Sequence, residues 1–552
     1  MPSDDWQKKQ TQEQTLRTSC YHIGASEMNT WADSIEQIPE KLLLKYFTAE
    51  APLGPLNARV VTDDTVLSLL TERDLANFKG QSQRPSIVVG RRGSGKTSYL
   101  RKLGIQTPDR LFIEIRTEKT FNLLLGAIHN VIRDSISVEA VTVVWDGVFW
   151  NCLFWILHRH GRPYIGRVEL KLHLIRLGIA ELKTLEAVMN SLSVSFERIS
   201  KESGGFALER IADFLRGTQF EELKEIAILD LESTAEVAMV VLDSLDDYPV
   251  RVDDFKKSLS GLLKCAGEFN AVVRNFEIRM CLPSELYWEF VEKVSTNSIK
   301  DFSNQLVVRW QVGELLLAAC RRLMIYLKLF HPTAYQTVRH IPLNIRKDAD
   351  EFLYAIFPRH VRNLNDVHER TDLYLLRHTQ LLPRQLFLML GEILKLNRVN
   401  DNFTPGKTSF VTEESIRLGI RDTEDRVVEE ILSAFRNRYP EAKEICMAIL
   451  PSIQKVFSSE QFSRAVKQYC EEHGRQHRTA TIRRMLIEIG AFGKIDSQEG
   501  IYTRGKFEYT MTSRLPVGAD DKLCVHPLFS RVFDCQSNGR SDAPILPWAS
   551  DL

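Results

Sequence analysis

An apolar run, Ser86-Ile87-Val88-Val89, opens directly into Gly90-Arg91-Arg92-Gly93-Ser94-Gly95-Lys96-Thr97, which has the spacing G-x-x-x-x-G-K-T. The run predicts a buried strand, the glycines a loop free to adopt left-handed backbone, and the residues from Lys96 onward a helix. Such a strand, loop and helix turn successive backbone N–H groups inward and add the positive end of a helix, which makes a cradle for a polyphosphate. On this reading Gly90, Arg91, Arg92, Gly93, Ser94, Gly95, Lys96, Thr97 and Ser98 hold a nucleoside triphosphate. Lys96 reaches the β- and γ-phosphates, and the Thr97 hydroxyl ligates Mg2+. The alternative is a glycine-rich turn with an exposed lysine.

The 552 residues, 44% hydrophobic and 26% charged, suit several globular domains with room for a large core. Lys plus Arg and Asp plus Glu both number 72, so no global field draws the chain to nucleic acid or anionic membrane. A nucleic-acid site would have to be a local patch. The nine cysteines show no C-x-x-C pair and no paired histidine spacing. They predict buried thiols in a reducing cytoplasm rather than zinc ligands or a disulfide framework. Met1 to Gln14 is polar and lacks the apolar stretch of a secretion signal. The most apolar window, Val138 to Leu157, contains Asp146, Gly147 and Asn151, and Trp145, Trp150 and Trp155 recur in it every five residues. That pattern predicts a buried helix, and no membrane partner is expected.

Short strand-like runs alternate with helical patterns between residues 86 and 310: Ser86 to Gly90, Arg110 to Arg116, Val237 to Asp243, Glu277 to Pro283 and Gln305 to Trp310. The expected core is therefore an α/β unit with a parallel five-stranded sheet. The long stretch between the second and third runs should hold a crossover helix and a helical insertion. From Gly313 strands are expected to give way to helices: Glu314 to Leu329, Ala349 to Phe357 and Arg384 to Leu396. Turn formers fill Asn397 to Thr412. Three further helical patterns, Glu441 to Val456, Ser459 to Glu471 and Thr479 to Ile489, lead into strand-like Phe492 to Asp496 and Ile501 to Tyr509 around Ser497-Gln498-Glu499-Gly500, the order of a winged helix-turn-helix. The expected division is an N-terminal segment (1–80), a P-loop core (81–311) with an insertion at about 140–232, a helical lid (312–397), a linker and helix (398–440), a winged helix (441–535) and a disordered tail (536–552).

The third run ends in Asp243, placing one acid at the carboxyl end of a buried strand beside the phosphate loop, where it can bind Mg2+ through water. Ser244 follows where a water-activating glutamate would stand in many ATPases, and the acids are displaced to Asp246 and Asp247. Those two either activate water or form a solvated turn before Tyr248-Pro249. Ser284, after the fourth run, either reads the γ-phosphate or caps a helix. Thr379-Gln380-Leu381-Leu382-Pro383-Arg384 puts a cation in the first turn of a helix, against the dipole, so Arg384 calls for an anionic partner, either phosphate or a carboxylate.

The phosphate loop, the Asp243-Ser244-Leu245-Asp246-Asp247 segment and the Leu-Leu-Pro-Arg motif ahead of a winged-helix pattern together resemble the STAND class of signalling P-loop ATPases, the NACHT group in particular. The architecture is also similar to AAA+ ATPases of the origin-recognition type. The resemblance implies ATP and Mg2+ as cofactors, Lys96 and Thr97 on phosphate and metal, Asp243 on the metal, Asp246 or Asp247 in hydrolysis, and Arg384 as a lid sensor. It further implies a slowly hydrolysing switch that changes assembly or binds a protein partner, in bacterial anti-phage (antiviral) defence or regulation. Between Ser284 and Asn304 there are lysines but no arginine, which departs from the AAA+ arginine finger and favours a switch over a ring motor. Nothing in the motif separates ATP from GTP.

Arg475, His477, Arg478, Arg483 and Arg484 cluster at the expected recognition helix, with Lys494, Arg504 and Lys506 on the wing. They could contact DNA. The interspersed Glu471, Glu472, Glu488, Glu499 and Glu508 suit a mixed-charge or protein-docking face equally.

Overall fold

The computed structural model describes residues 30–548 except 72–86, 106–109, 117–136, 164, 204–205, 235–236, 244–252, 274, 286, 288–304, 364, 398–402, 404–407, 437, 475, 477, 512, 519, 538 and 540–542; for 103–105, 110–116, 253–256, 258, 271–272 and 305 it describes the backbone alone. Three short helices come first: α1 (Trp31–Glu36), α2 (Glu40–Leu44) and α3 (Asp64–Leu70). Thr30 and Asp33 close a reciprocal capping box on α1.

Strand β1 (Ile87–Gly90) leads through the glycine loop to helix α4 (Lys96–Ile105), and β2 (Arg110–Arg116) follows. Helices α5 (Val138–Arg159), α6 (Arg167–Arg176), α7 (Leu185–Ser203), α8 (Ala207–Arg216) and α9 (Phe220–Ser233) form the insertion. Then come β3 (Val237–Asp243), α10 (Asp253–Val272), β4 (Phe276–Pro283) and β5 (Gln305–Val307). The five strands pair in parallel in the order β2-β3-β4-β1-β5. The fifth strand stops at Val307 rather than Trp310, although Val308 N still donates to Val89 O at 2.7 Å.

Side chains alternate across this sheet with the period of two that pleating dictates. Ile87, Val89, Ala238, Val240, Leu242, Phe276, Ile278, Met280 and Leu282 face one core with α5 and α10. Val88, Met239, Val241 and Cys281 face the other, against Tyr99 and Leu100 of α4. The insertion is thus a layer of the core. Helix α5 is long and apolar enough to cross a bilayer, yet 78% of its apolar window is buried inside the protein. The two polar residues in its middle are satisfied: Asn151 Nδ2 donates to Gly147 O (2.8 Å) and Leu215 O (3.0 Å), and Asp146 pairs with Arg216 and Lys224. Burial lowers His173 to about 4, so its neutral imidazole bonds Asn151 Oδ1 at 2.7 Å. Outward, Ile165 and the α6 residues Val168, Leu172 and Ile175 form an exposed apolar stripe.

The following layer is helical: α11 (Val312–Phe330), α12 (Pro332–Val338) and α13 (Arg346–Ile356). Strands are not absent from it, for β6 (His360–Arg362) and β7 (His368–Arg370) form an antiparallel pair too short to show a period in sequence. Helices α14 (Thr371–Arg377), α15 (Pro383–Leu396) and the long α16 (Glu413–Phe435) complete it. Residues 30–71, expected to stand apart, share its core: Ile35, Phe47 and Val66 pack with Leu315, Leu323 and Phe352. Arg322 fastens them, donating to Leu53 O and Pro55 O at 3.1 Å each.

The C-terminal module contains α17 (Ala442–Ile449), β8 (Val456–Phe457), α18 (Ser459–Glu472), α19 (Thr479–Glu488), β9 (Phe492–Glu499), β10 (Tyr502–Lys506), β11 (Leu523–Val525), α20 (Pro527–Val532) and β12 (Ile545–Leu546). The helix expected to reach Val456 ends at Ile449 because Pro451 permits only a short 3-10 turn, and Val456 joins β8. The hairpin is tighter than expected: Glu499 pairs with Tyr502, leaving Gly500 (φ 58°) and Ile501 as the turn. The expectation of a disordered tail fails for residues 543–548. Strand β12 pairs in parallel with β10, and Trp548, 2% exposed, enters the core of the lid layer. The polar average of the segment concealed Ile545-Leu546-Pro547-Trp548, whose burial repays ordering.

Candidate nucleotide-binding site

The strand order puts the loop after β1, the end of β3 and the end of β4 on one edge of the sheet, where connections diverge and α/β proteins bind ligands. Gly93 (φ 86°) and Gly95 (φ 89°) adopt the left-handed backbone that the curl of the loop requires. Lys96 is buried, and its ammonium spans the loop, donating to Gly90 O at 2.8 Å and Arg91 O at 3.2 Å. Thr97 Oγ1 donates to Asp243 Oδ2 at 2.9 Å, joining positions 146 residues apart. This hydroxyl and carboxylate offer the hard oxygen donors that suit Mg2+.

A cavity of about 220 Å3 opens over this loop, with Gly93 to Tyr99 and Asp243 in its wall. Pro55, Leu56 and Ala58 line it from the N-terminal segment, and Trp310 and Phe387 from the lid side. Arg59 Nε donates to the same Asp243 oxygen at 3.1 Å, so the acid is shared between a hydroxyl and a guanidinium. Sequence reasoning missed Arg59 and the segment before it, because Leu53-Gly54-Pro55-Leu56-Asn57 carries only turn signals.

Arg384 lies in the first turn of α15 against the loop: a Cβ added to Gly93 would lie 3.1 Å from Arg384 Cβ. Its anionic partner in this structure is Glu430 of α16, at 2.8 Å, while its side chain also lines the cavity. Ser98 and Arg92 line the same cavity. Ser284 does not; it borders a second cavity of about 760 Å3 between core, lid and C-terminal module. Asp246 and Asp247 lie outside the described residues.

Arg91 departs from the expected role of its side chain. It leaves the loop and passes between the rings of Phe435 and Tyr509, 5.4 Å from each centroid. Its Nη2 donates to Glu488 O (3.4 Å) and Ile489 O (3.2 Å), the open carbonyls at the end of α19, and Nε lies 3.6 Å from Glu285. Burial pulls this guanidinium below its ordinary value, and Glu285 acts in the opposite direction. Gln380 Nε2 donates to Ile489 O at 3.0 Å from the lid. The end of the expected recognition helix is therefore seated on the glycine loop.

Arg484, expected at a DNA face, points into this interface and pairs with Glu488 and Glu508. Its i,i+4 carboxylate and the one on the following 3-10 turn hold it there. Arg483 lies half-buried over the Phe462 ring, Arg478 is exposed, and Arg475 and His477 lie outside the described residues. Lys494, Lys506 and Arg504 pair with Asp521, Asp496 and Glu499. The eight described cysteines are free thiols, and no cluster able to hold a metal through three His, Cys, Asp or Glu side chains occurs among the described residues.

No family model matches the chain, and neither does any curated protein. Among solved structures, the Aeropyrum pernix ORC2 protein in ADPNP–ADP complexes aligns over 85% of this chain and 91% of its own, with 11% identity and a TM-score of 0.37. The Aeropyrum pernix ORC1 protein in complex with DNA aligns over 87% of this chain and 96% of its own, with 13% identity and a TM-score of 0.33. Superpositions this loose bear no assignment of fold or function.

Proposed function

We propose that this chain binds ATP with Mg2+ in the cavity of about 220 Å3 and works as a slow nucleotide-dependent switch. The observation that carries the reading is the 2.9 Å hydrogen bond from Thr97 to Asp243, next to a lysine held across the glycine loop. The backbone N–H groups of the loop and Lys96 bind the β- and γ-phosphates, and Thr97 and Asp243 hold the metal. When bound, Mg2+ supplies neutralisation of charge on the phosphate oxygens. Arg384, beside Gly93, exchanges Glu430 for phosphate and so reports occupancy to the lid. Asp246 or Asp247 positions the attacking water, and Ser284, which borders the other cavity, takes no part in the proposed site.

The C-terminal module supports a switch because its α19 end rests on Arg91 of the phosphate loop itself, so that loop rearrangement bears on module docking. The exposed α6 stripe offers a surface for a protein partner or for self-assembly. DNA binding would have to proceed without Arg484 while the module is docked.

The test is nucleotide binding and phosphate release by wild type, Lys96→Ala and Asp243→Asn, with Mg2+ and with chelator. Lys96→Ala should weaken ATP binding at least tenfold, and Asp243→Asn should remove the effect of Mg2+. Equal ATP binding by wild type and Lys96→Ala would overturn the proposal.

A further inference from the structure

A third cavity, of about 580 Å3, opens between the lid helices α14 and α16 and the C-terminal elements α20 and β12. It shares no lining residue with the two cavities described above, and its volume falls in the range of about 300–1,000 Å3 that holds small molecules. Five cations, Arg377, Arg417, Arg421, Lys455 and Arg531, stand in its wall against Glu414, Glu424 and Asp534. Of these acids Glu424 is taken: it is 1% exposed, pairs with Arg531 and faces Nδ1 of His378, which burial keeps neutral, at 2.5 Å. Arg377 is taken as well, by Glu369 at 2.8 Å. Arg417 is not, for no described residue forms an ion pair or hydrogen bond with its exposed guanidinium.

Arg421 stands one turn from Arg417 on α16, and like charges at that spacing repel. Its pair with Asp422, at 3.3 Å, is exposed and worth little. Tyr374, 6% exposed, lines the same cavity, and its hydroxyl bonds no described residue. Burial raises this phenol, while the charges of Arg377, Arg531 and Arg417 act against the rise. Arg531 is in turn within range of both Tyr374 and Arg421, so these cations and the hydroxyl form one cluster. Guanidinium and phenol groups so placed are donors that call for an anionic acceptor. A phosphate monoester brings three acceptor oxygens and about two negative charges, where a carboxylate brings only one charge. Leu418, Val525, Pro527 and Ile545 complete the wall and suit an apolar body. We infer that this cavity binds a small phosphate monoester, with its phosphate on Arg417 and Tyr374 and its body against those apolar side chains. Such a ligand touches α16 and β12 at once, so it favours the form in which the C-terminal end is seated on the lid.

The experiment is calorimetric titration of full-length Lys96→Ala protein with phenyl phosphate, inorganic phosphate and benzoate. Lys96→Ala weakens the glycine loop as a competing anion site, so the result stands apart from the ATP reading. Phenyl phosphate should bind with a dissociation constant below about 1 mM. Inorganic phosphate lacks the body and benzoate lacks the second charge, so each should bind at least tenfold more weakly. Adding Arg417→Ala should weaken phenyl phosphate at least tenfold, and this exposed position puts folding at no risk. Tyr374→Phe, which removes only the hydroxyl, should weaken it about threefold. A dissociation constant for phenyl phosphate above about 1 mM would overturn the inference. So would equal binding of benzoate or of inorganic phosphate, or binding indifferent to both substitutions.

Discussion

Arg91 donates from the glycine loop after β1 to the carbonyl of Ile489 at 3.2 Å, across 398 positions of sequence. One side chain thus joins the glycine loop after β1 to the helix end that anchors the C-terminal module, with Glu285, Phe435 and Tyr509 around it.

Arg91→Ala should undock the module. It strips the partner from a carboxylate that is 7% exposed and leaves the carbonyl of Glu488 open, while Gln380 still serves that of Ile489, a loss of about 3 kcal/mol or more. Hydrogen exchange across α19 and the β9–β10 hairpin should rise well above wild type. Arg91→Lys, which restores charge without the planar fork, should recover only part of the protection. Wild-type exchange in Arg91→Ala would show that docking does not depend on this residue.

Arg59→Ala should favour the metal. The guanidinium shares Asp243 Oδ2 with the Thr97 hydroxyl, and a second cation at that oxygen meets like charge. The Mg2+ concentration giving half of the metal-induced melting shift should fall about threefold to tenfold, since Coulomb terms of about 1 kcal/mol act at such range. A midpoint that rises instead would mean that Arg59 assists the metal.

Acid should weaken the docked module through His526. Its imidazole is fully buried, accepts from Leu528 N at Nδ1 (3.2 Å) and bonds Tyr509 at Nε2 (2.9 Å). Burial lowers it to about 3, while the unfolded chain titrates near the ordinary value of about 6.5. Between those values the unfolded state binds a proton that the native state does not, so stability falls as pH drops, by about 2 kcal/mol at pH 5. His526→Asn, which keeps a helix-capping side chain, should flatten the decline in melting temperature between pH 6.5 and 5. A parallel decline in both proteins would assign the acid sensitivity elsewhere.

Trp548→Ala should destabilise the lid layer by about 3–5 kcal/mol, the cost of deleting a large buried aromatic. Its ring is 2% exposed in the core that also holds Ile35, Phe47 and Leu323. Thermal unfolding compared with an exposed control such as Ile501→Ala distinguishes the outcomes: equal midpoints would contradict the packing described.

Local periodicity made β2 and β3 legible to the residue, because each is a continuous strand-like run with sharp ends at Arg110 and Arg116 and at Val237 and Asp243. Thr97 meeting Asp243 was legible for a different reason: the loop motif dictates where an acid must stand. Arg59 meeting Asp243 across 184 positions was not, since no local pattern marks a side chain whose meaning comes only from tertiary approach. The same holds for Arg91, whose place in the loop suggested phosphate while packing took its side chain elsewhere. Arg484 reads as an outward cation in sequence, but carboxylates at 488 and 508 turn it inward.

Strand β12 gives the C-terminal module a second attachment, because Ile545 and Leu546 run along β10 while Trp548 is seated among lid helices. The module therefore cannot swing freely about the turn after α16. It is a hatch held by a strap as well as a hinge, and a wide opening must peel that strap from one side or the other. Cleavage just before residue 543 would sever the strap and leave the hinge intact, turning a restrained hatch into a free one.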